Sequence, residues 1–325
     1  MKAYWATNTG TAIELEQRET PAPKPAAGQI LVKMHAATLN RGAFIVRGHA
    51  IKGPPVAQLA GNEGAGEVAA LGEGVTNFAV GDRVMGVCGA AFAEFAVMDS
   101  RMATLVPKTL SWEEAACTTM VFTVVHDMLM ARGHLKAGEW LLVTAASSGV
   151  GVAAIQLAKA LGAHTIGTSG SQAKLDKLKA VGLDVGVATR GPEFLEETMK
   201  ATGGKGANLI INNVGGTIFS ECLKSLAFEG RLAEIGHMDG VYESTIDLSR
   251  LHANRLTVFG TSAQLRTAEH RIAAARGFAR DVLPLIAAGR IKPLVDRVFS
   301  FADLPAAKAH MEANAHVGKI AVTIP

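Results

Sequence analysis

The chain has 325 residues, 49% of them apolar and 19% charged, which allows roughly two domains and excludes a disordered polymer. Lys and Arg total 32 against 29 Asp and Glu with no basic block, so neither a nucleic-acid nor a membrane-surface partner is expected. Glycine is abundant at 35 residues but lacks a G-X-Y period, which points to tight turns and close backbone approaches and excludes a collagen-like chain.

The opening segment MKAYWATNTGTAIEL has no apolar core of the kind a secretory signal carries. Cys88, Cys117 and Cys222 are far apart and odd in number, so no disulfide framework is expected; a reducing, cytoplasmic setting is the simplest reading. Up to about residue 117 the apolar runs are short and punctuated by glycine (QILVKMHAATL, GAGEVAAL, DRVMGV, FAEFAVM, ATLVP), the pattern of a strand-rich unit. A helical stretch follows, WEEAACTTMVFTVVHDMLMARG, opened by Ser111 with Glu114 three residues on, a capping box. The uncharged run 140–158 is long enough to suggest a membrane span, but Thr144, Ser147, Ser148, Gly149 and Gly151 break it into strand, turn and helix.

From Glu139 the chain alternates strand and helix: WLLVT, GVGVAAIQLAKALG, HTIGT, AKLDKLKAVG, DVGVA, PEFLEETMKATG, NLIINNV, TIFSECLKSLAF, RLAEIG. LTVFGT supplies a sixth strand. This alternation predicts an α/β fold with a doubly wound parallel sheet of the Rossmann type. The tail adds a long helix, AEHRIAAARGFARDVLPLIAAG, then PAAKAHMEAN and GKIAVTI, which need the first unit as a partner.

The chemistry begins at LLVTAASSGVGVAAIQLAK, where a strand enters a small-residue turn that opens a helix. Small side chains let backbone N–H groups approach a pyrophosphate, and a helix N-terminus favours its charge. The spacing is Ala145-x-x-Ser148-x-x-Gly151, not an intact G-x-G-x-x-G; Ser148, Gly149, Val150 and Gly151 are the expected cofactor contacts. An NAD site would place Asp or Glu at the end of the second strand. That segment reads GTSGSQAK around Gly170, and no acid occurs between Gly151 and Asp176. Lys174 and Arg190 instead offer cations for a 2′-phosphate, so NADPH is the expected cofactor.

With HAATLN, GNEGAGEVAALGEGVTNFAVGDRVMG, the nucleotide turn, INNVGG, LAEIG, LTVFGT, AAGRIKPLVDRVF and HVGKIAV in order, the sequence resembles the medium-chain dehydrogenase/reductase superfamily. Within it, the chain is most similar to the zinc-independent quinone oxidoreductases, zeta-crystallin-like and p53-inducible-like. The resemblance implies a GroES-like β-rich catalytic domain over 1–117 and 258–325, a Rossmann NADP-binding domain over 118–257, and an active site in the cleft between them. It implies that Asn40 and Thr123 act at the nicotinamide end as the catalytic pair, with Val214, Gly236 and His237 lining the cofactor.

Zinc relatives use a Cys, a Gly-His-Glu motif and a further Cys or Asp. Here those slots read Asn40, Gly61-Asn62-Glu63 and Thr119, next to Cys117. Asparagine amides are poor Zn²⁺ ligands, so no metal is expected, and alcohol dehydrogenation would lack its Lewis acid. An acceptor that is already electrophilic suits the remaining groups: a quinone first, with activated C=C bonds of enals and enones as the alternative. The stretch after Asn40 carries Phe44, Ile45 and Ile51 where such relatives often place tyrosines, which leaves proton delivery to water or Asn40. Thr189 stands before Arg190, where relatives carry a tyrosine near the adenosine.

His126 and Asp127 are adjacent on a helix and do not face each other, so structural roles are expected of both. His237 is a candidate proton donor, His316 a residue within reach of the cofactor, and Arg41 and Arg47 flank the substrate loop. A homodimer joined along the sixth strand is expected, and a monomeric mass in light scattering would exclude it. A non-catalytic dinucleotide-binding or RNA-binding crystallin-like role is the reading from another class. Aromatics at 5% with no aromatic-plus-basic stripe speak against RNA.

Overall fold

The computed structural model describes residues 1–44 and 56–325; Ile45, Arg47 and Ile51 lie outside the described residues. The chain divides into two compact units, residues 1–120 with 293–325, and residues 121–292.

In the first unit, strand Gln29–Thr38 alternates in burial at its start, with Ile30, Val32 and Met34 removed from solvent. It lies in a seven-stranded sheet ordered Val295–Phe299, Lys319–Thr323, Gln29–Thr38, Glu63–Leu71, Arg83–Val87, Thr104–Leu105, with Phe95–Asp99 paired to Gln29–Thr38. The last two segments of the chain therefore complete this β-rich, GroES-like unit. A smaller antiparallel sheet joins Ile13–Glu19, Lys2–Asn8 and Ala57–Leu59. One apolar cluster that includes Phe92, Phe301, Leu304 and Ile320 underlies the unit.

In the second unit six parallel strands run in the order Val185–Ala188, His164–Ser169, Trp140–Val143, Ala207–Asn212, Leu226–Glu234, Thr257–Gly260. In chain order this is 3-2-1-4-5-6, the doubly wound arrangement whose ligands bind outside the carboxyl ends of the strands. Leu142, Ile166, Ile210 and Leu232 bring four of the strands into one apolar cluster with Phe194.

Several elements differ in extent from the sequence pattern. Ser111 and Glu114 do form the capping box, with Glu114 N donating to Ser111 Oγ at 3.2 Å and Ser111 N to Glu114 Oε2 at 3.0 Å. The helical stretch behind them is divided into Trp112–Ala116, Thr119–His126 and a wide turn over Asp127–Ala131. Leu226 already begins a strand, so the helix before it covers only Phe219–Lys224. The tail helix is broken into Ala268–Asp281 and Leu283–Ala287, with Pro284 in the first turn of the second, where a missing N–H costs nothing.

The chain rejoins the β-rich unit at residue 293 and not near 258. The reason is local: Thr257–Gly260 pairs with Leu226–Glu234, and Asp281 on the following helix bonds the buried His126 at 2.7 Å. Among the described residues no helix is long and apolar enough to cross a membrane.

Candidate active site

The phosphate turn sits between strand Trp140–Val143 and helix Gly149–Ala160. Ser148 is the N-cap and its Oγ accepts from Gly151 N at 3.1 Å. The N–H groups of the first helical turn are otherwise aimed outward from the helix end. A Cβ on Gly151 would meet Ala146 O at 2.4 Å, so only glycine lets the helix approach the turn this closely. Ala145, in the slot of the fingerprint's first glycine, has φ +48°, a left-handed conformation that costs a non-glycine residue about 1–2 kcal/mol.

Gly170 follows the second strand, and the Arg190 side chain lies across it: a Cβ there would meet Arg190 Cγ and Nε at 2.5 Å. Ser169, Gly170, Ser171 and Arg190 thus form one hydroxyl- and cation-bearing corner, with Lys174 in the first turn of helix Gln172–Lys179 beside it. Arg190 is exposed and makes no hydrogen bond or ion pair to the described residues. No carboxylate stands at the end of this strand, so the corner suits a phosphate and not a ribose 2′-hydroxyl.

Val214 and Gly236 follow the fourth and fifth strands on the same edge of the sheet. Asn212 shapes this end: its Oδ1 accepts from Val214 N at 3.0 Å and Gly215 N at 3.2 Å, and its Nδ2 donates to Glu234 Oε2 at 2.8 Å. Burial, with the Asp239 carboxylate also nearby, pushes the Glu234 carboxyl up to about 7 against the lowering effect of Asn212. Glu234 Oε1 and the Thr123 hydroxyl are buried without a partner. His237 is exposed, with its ring 5.0 Å from that of Tyr242.

The first unit holds Asn40 in a buried polar cluster. Asn40 Nδ2 donates to Asn62 Oδ1 at 2.9 Å and to Glu63 Oε2 at 3.0 Å. Lys319 Nζ donates to Asn40 Oδ1 at 2.6 Å and to Leu39 O at 3.1 Å, and lies 3.7 Å from Glu63 Oε2. Met120 N donates to Glu63 Oε1 at 2.6 Å. Glu63 is 0% exposed and Lys319 7%.

The zinc implied by related enzymes does not fit this set. An ammonium already occupies the amide oxygen of Asn40, and the other two ligand slots hold Asn62 and Thr119, neither of which offers a thiolate, an imidazole or a carboxylate.

The other singled-out residues are tied elsewhere. His126 bonds Asp281 at 2.7 Å and Asp127 pairs with Arg266 at 2.5 Å, so the two neighbours serve separate packing contacts. Arg41 donates to Met311 O at 2.9 Å, which commits it to the end of helix Leu304–Glu312. His316 lies 6.2 Å, ring to ring, from His310. Thr189 Oγ1 donates to Glu193 Oε2 at 2.8 Å. Sequence reasoning missed Lys319, Asn212 and Glu234; a charged residue inside the apolar runs GKIAV and LAEIG is the signal that marks two of them.

The chain thus carries a six-stranded Rossmann sheet with a phosphate turn and a β-rich GroES-like unit. The family model for zinc-binding dehydrogenases matches residues 149–276, and that for the alcohol dehydrogenase GroES-like domain matches residues 26–108. Acryloyl-coenzyme A reductase of Metallosphaera sedula is 30% identical over 339 residues, covering 95% of this chain and 96% of that protein. The chain belongs to the medium-chain dehydrogenase/reductase superfamily.

It is also 33% identical over 310 residues to erythronolide synthase EryA2 of Saccharopolyspora erythraea, covering 92% of this chain and 8% of that protein. The chain spans only 5% to 14% of the length of the polyketide synthases it matches. Among solved structures, Escherichia coli quinone oxidoreductase complexed with NADPH aligns with a TM-score of 0.85 at 26% identity, covering 100% of both chains. A mycobacterial structure complexed with NADPH aligns at 0.87 and 28% identity, again over 100% of both.

Proposed function

We propose that this chain is an NADPH-dependent reductase of quinones that works without a metal. The carrying observation is the corner at the second strand: Ser169, Gly170, Ser171 and Arg190 together, with no Asp or Glu at the end of that strand. The backbone N–H groups of Gly149 and Val150 would hold the pyrophosphate, Lys174 and Arg190 the 2′-phosphate, and Val214 and Gly236 would border the nicotinamide. The orphaned Thr123 hydroxyl bonds the same end. Bound NADPH supplies a hydride from its nicotinamide ring. Water supplies the proton, because both amide N–H groups of Asn40 are already spent within the protein.

Activated C=C bonds are the second reading, and a specific observation favours them: the full-length relative at 30% identity is an acryloyl-coenzyme A reductase. Both acceptors have a C=C conjugated to a carbonyl, and the chain's residues treat them alike up to the shape of the remainder.

The nucleotide assignment is tested by fluorescence titration of NADPH and NADH against Arg190→Ala and Lys174→Ala. Each loses a charge-assisted contact of roughly 1.5–3 kcal/mol, about tenfold or more in NADPH affinity, with NADH little changed. Equal losses for both nucleotides would show that neither residue reads the 2′-phosphate.

A further inference from the structure

Asn213 stands immediately past the fourth strand of the second unit, and its neighbours determine which way its amide faces. Thr144 O can only accept, and Asn213 Nδ2 donates to it at 2.8 Å. The Asn213 backbone N–H donates to Thr144 Oγ1 at 2.9 Å, and the Thr144 hydroxyl proton goes on to Ile211 O or Asn212 Oδ1, each at 3.3 Å. Thr144 is fully buried and Asn213 is 6% exposed. Gly236 lets the two strand ends close around this point, since a Cβ there would meet Asn213 O at 2.4 Å. The amide is thereby held by its NH₂ group. Its Oδ1 makes no hydrogen bond to the described residues and is not sealed from solvent.

The place of this oxygen in the sheet decides what it can meet. The second, first and fourth strands lie side by side in that order, and the reversal between the first and the fourth is where such sheets take a dinucleotide. The cation-bearing corner ends the second strand, the phosphate turn follows the first directly after Thr144, and Asn213 follows the fourth. A dinucleotide with its 2′-phosphate in that corner and its pyrophosphate at the turn therefore carries its nicotinamide half toward Asn213. The first group beyond the pyrophosphate on that side is the nicotinamide ribose, with two neighbouring hydroxyls. An amide oxygen accepts and cannot donate, so it repels a phosphate oxygen and bonds a hydroxyl.

We propose that the Asn213 amide oxygen accepts a hydrogen bond from a hydroxyl of the nicotinamide ribose, with the Thr144 backbone carbonyl holding the amide in place. The assignment rests on the NADPH reading above and concerns residues of the second unit alone. Because the amide is oriented before any ligand arrives, binding spends little on ordering it. Asn213 ties the ribose down next to the pyrophosphate and so limits where the nicotinamide ring, joined to the same sugar, can lie.

The test titrates the full chain and Asn213→Ala by calorimetry with NADPH, with 2′-phospho-ADP-ribose, which keeps the ribose diol and lacks the nicotinamide, and with 2′,5′-ADP, which lacks both. Thermal stability is measured alongside, and Asn213→Val carries the same comparison if Asn213→Ala does not fold. The expected result is a loss of about three- to tenfold in affinity for NADPH and for 2′-phospho-ADP-ribose, the worth of one neutral hydrogen bond. Affinity for 2′,5′-ADP stays within about twofold of the parent, on the order of the error in such a comparison. A loss shared equally by all three ligands overturns the assignment and makes Asn213 a structural residue. Unchanged affinity for 2′-phospho-ADP-ribose also overturns it, and a loss confined to NADPH puts the contact on the nicotinamide carboxamide. Those outcomes leave the nucleotide reading intact, whereas failure of the parent chain to bind any of the three ligands overturns both.

Discussion

Replacing Lys319 by Met removes the one ammonium inside the Asn40 cluster and keeps most of the side-chain volume. Glu63, fully buried, then retains only the N–H of Met120 at 2.6 Å and Nδ2 of Asn40 at 3.0 Å. Leu39 O and Asn40 Oδ1 lose their Lys319 donor as well. Breaking a buried ion pair from one side costs about 3–5 kcal/mol, and the two remaining N–H donors to Glu63 place Lys319→Met at the lower end, about 3 kcal/mol. Adding Glu63→Gln removes the uncompensated charge. The Asn40 amide is then free to turn, so that its oxygen accepts from the new glutamine. The double variant is therefore expected to be more stable than Lys319→Met by about 1.5 kcal/mol or more. Urea unfolding followed by tryptophan fluorescence, with Trp112 reporting on this unit, gives the comparison. Lys319→Met within about 1 kcal/mol of the parent, or a double variant that is simply the sum of its parts, would refute the account of this cluster.

Two further outcomes follow from the second unit. Ala145→Gly relieves the φ of +48° at the phosphate turn and is expected to be neutral to about 1 kcal/mol stabilising; clear destabilisation in urea would show that the turn is not strained there. Glu234, raised by burial from its ordinary 4.5 to about 7, holds its proton in the folded chain where the unfolded chain has lost it. Its contribution to stability therefore declines as pH rises between about 4.5 and 7 and levels off above that. Glu234→Gln removes this slope, so the Tm of the variant relative to the parent is expected to be higher at pH 8 than at pH 5, and a constant difference across that range would contradict the assignment.

The Rossmann half was the more legible part of the sequence because its strands are short, apolar and evenly spaced, and each ends in a turn of small residues. The strand–helix alternation together with the small-residue turn put Ser148 and Gly151 between the first strand and its helix, and Gly170 just past the second strand. The limits were local where a single residue altered the pattern: Pro284 divides a helix that reads as continuous, and Leu226 starts a strand inside a run that reads as helix. Domain return near 258 was misplaced because nothing in AEHRIAAARGFARD shows that Asp281 will bond a histidine 155 residues earlier. The candidate site in the first unit was legible as residue types but not as an arrangement. Asn40, Glu63 and Lys319 come from three separated segments, and the bond of Lys319 to Asn40 spans 279 positions. A lone lysine in an apolar strand reads as an edge residue until its partners are seen. Likewise Arg41, which by sequence flanks a substrate loop, is spent on Met311 O.

The most direct measurement is NADPH and NADH oxidation with 1,4-benzoquinone, 9,10-phenanthrenequinone and cyclohex-2-enone, run with and without a metal chelator. Turnover that prefers NADPH and is unchanged by chelator is the predicted result. Turnover that the chelator abolishes, or an equal rate with NADH, would contradict it.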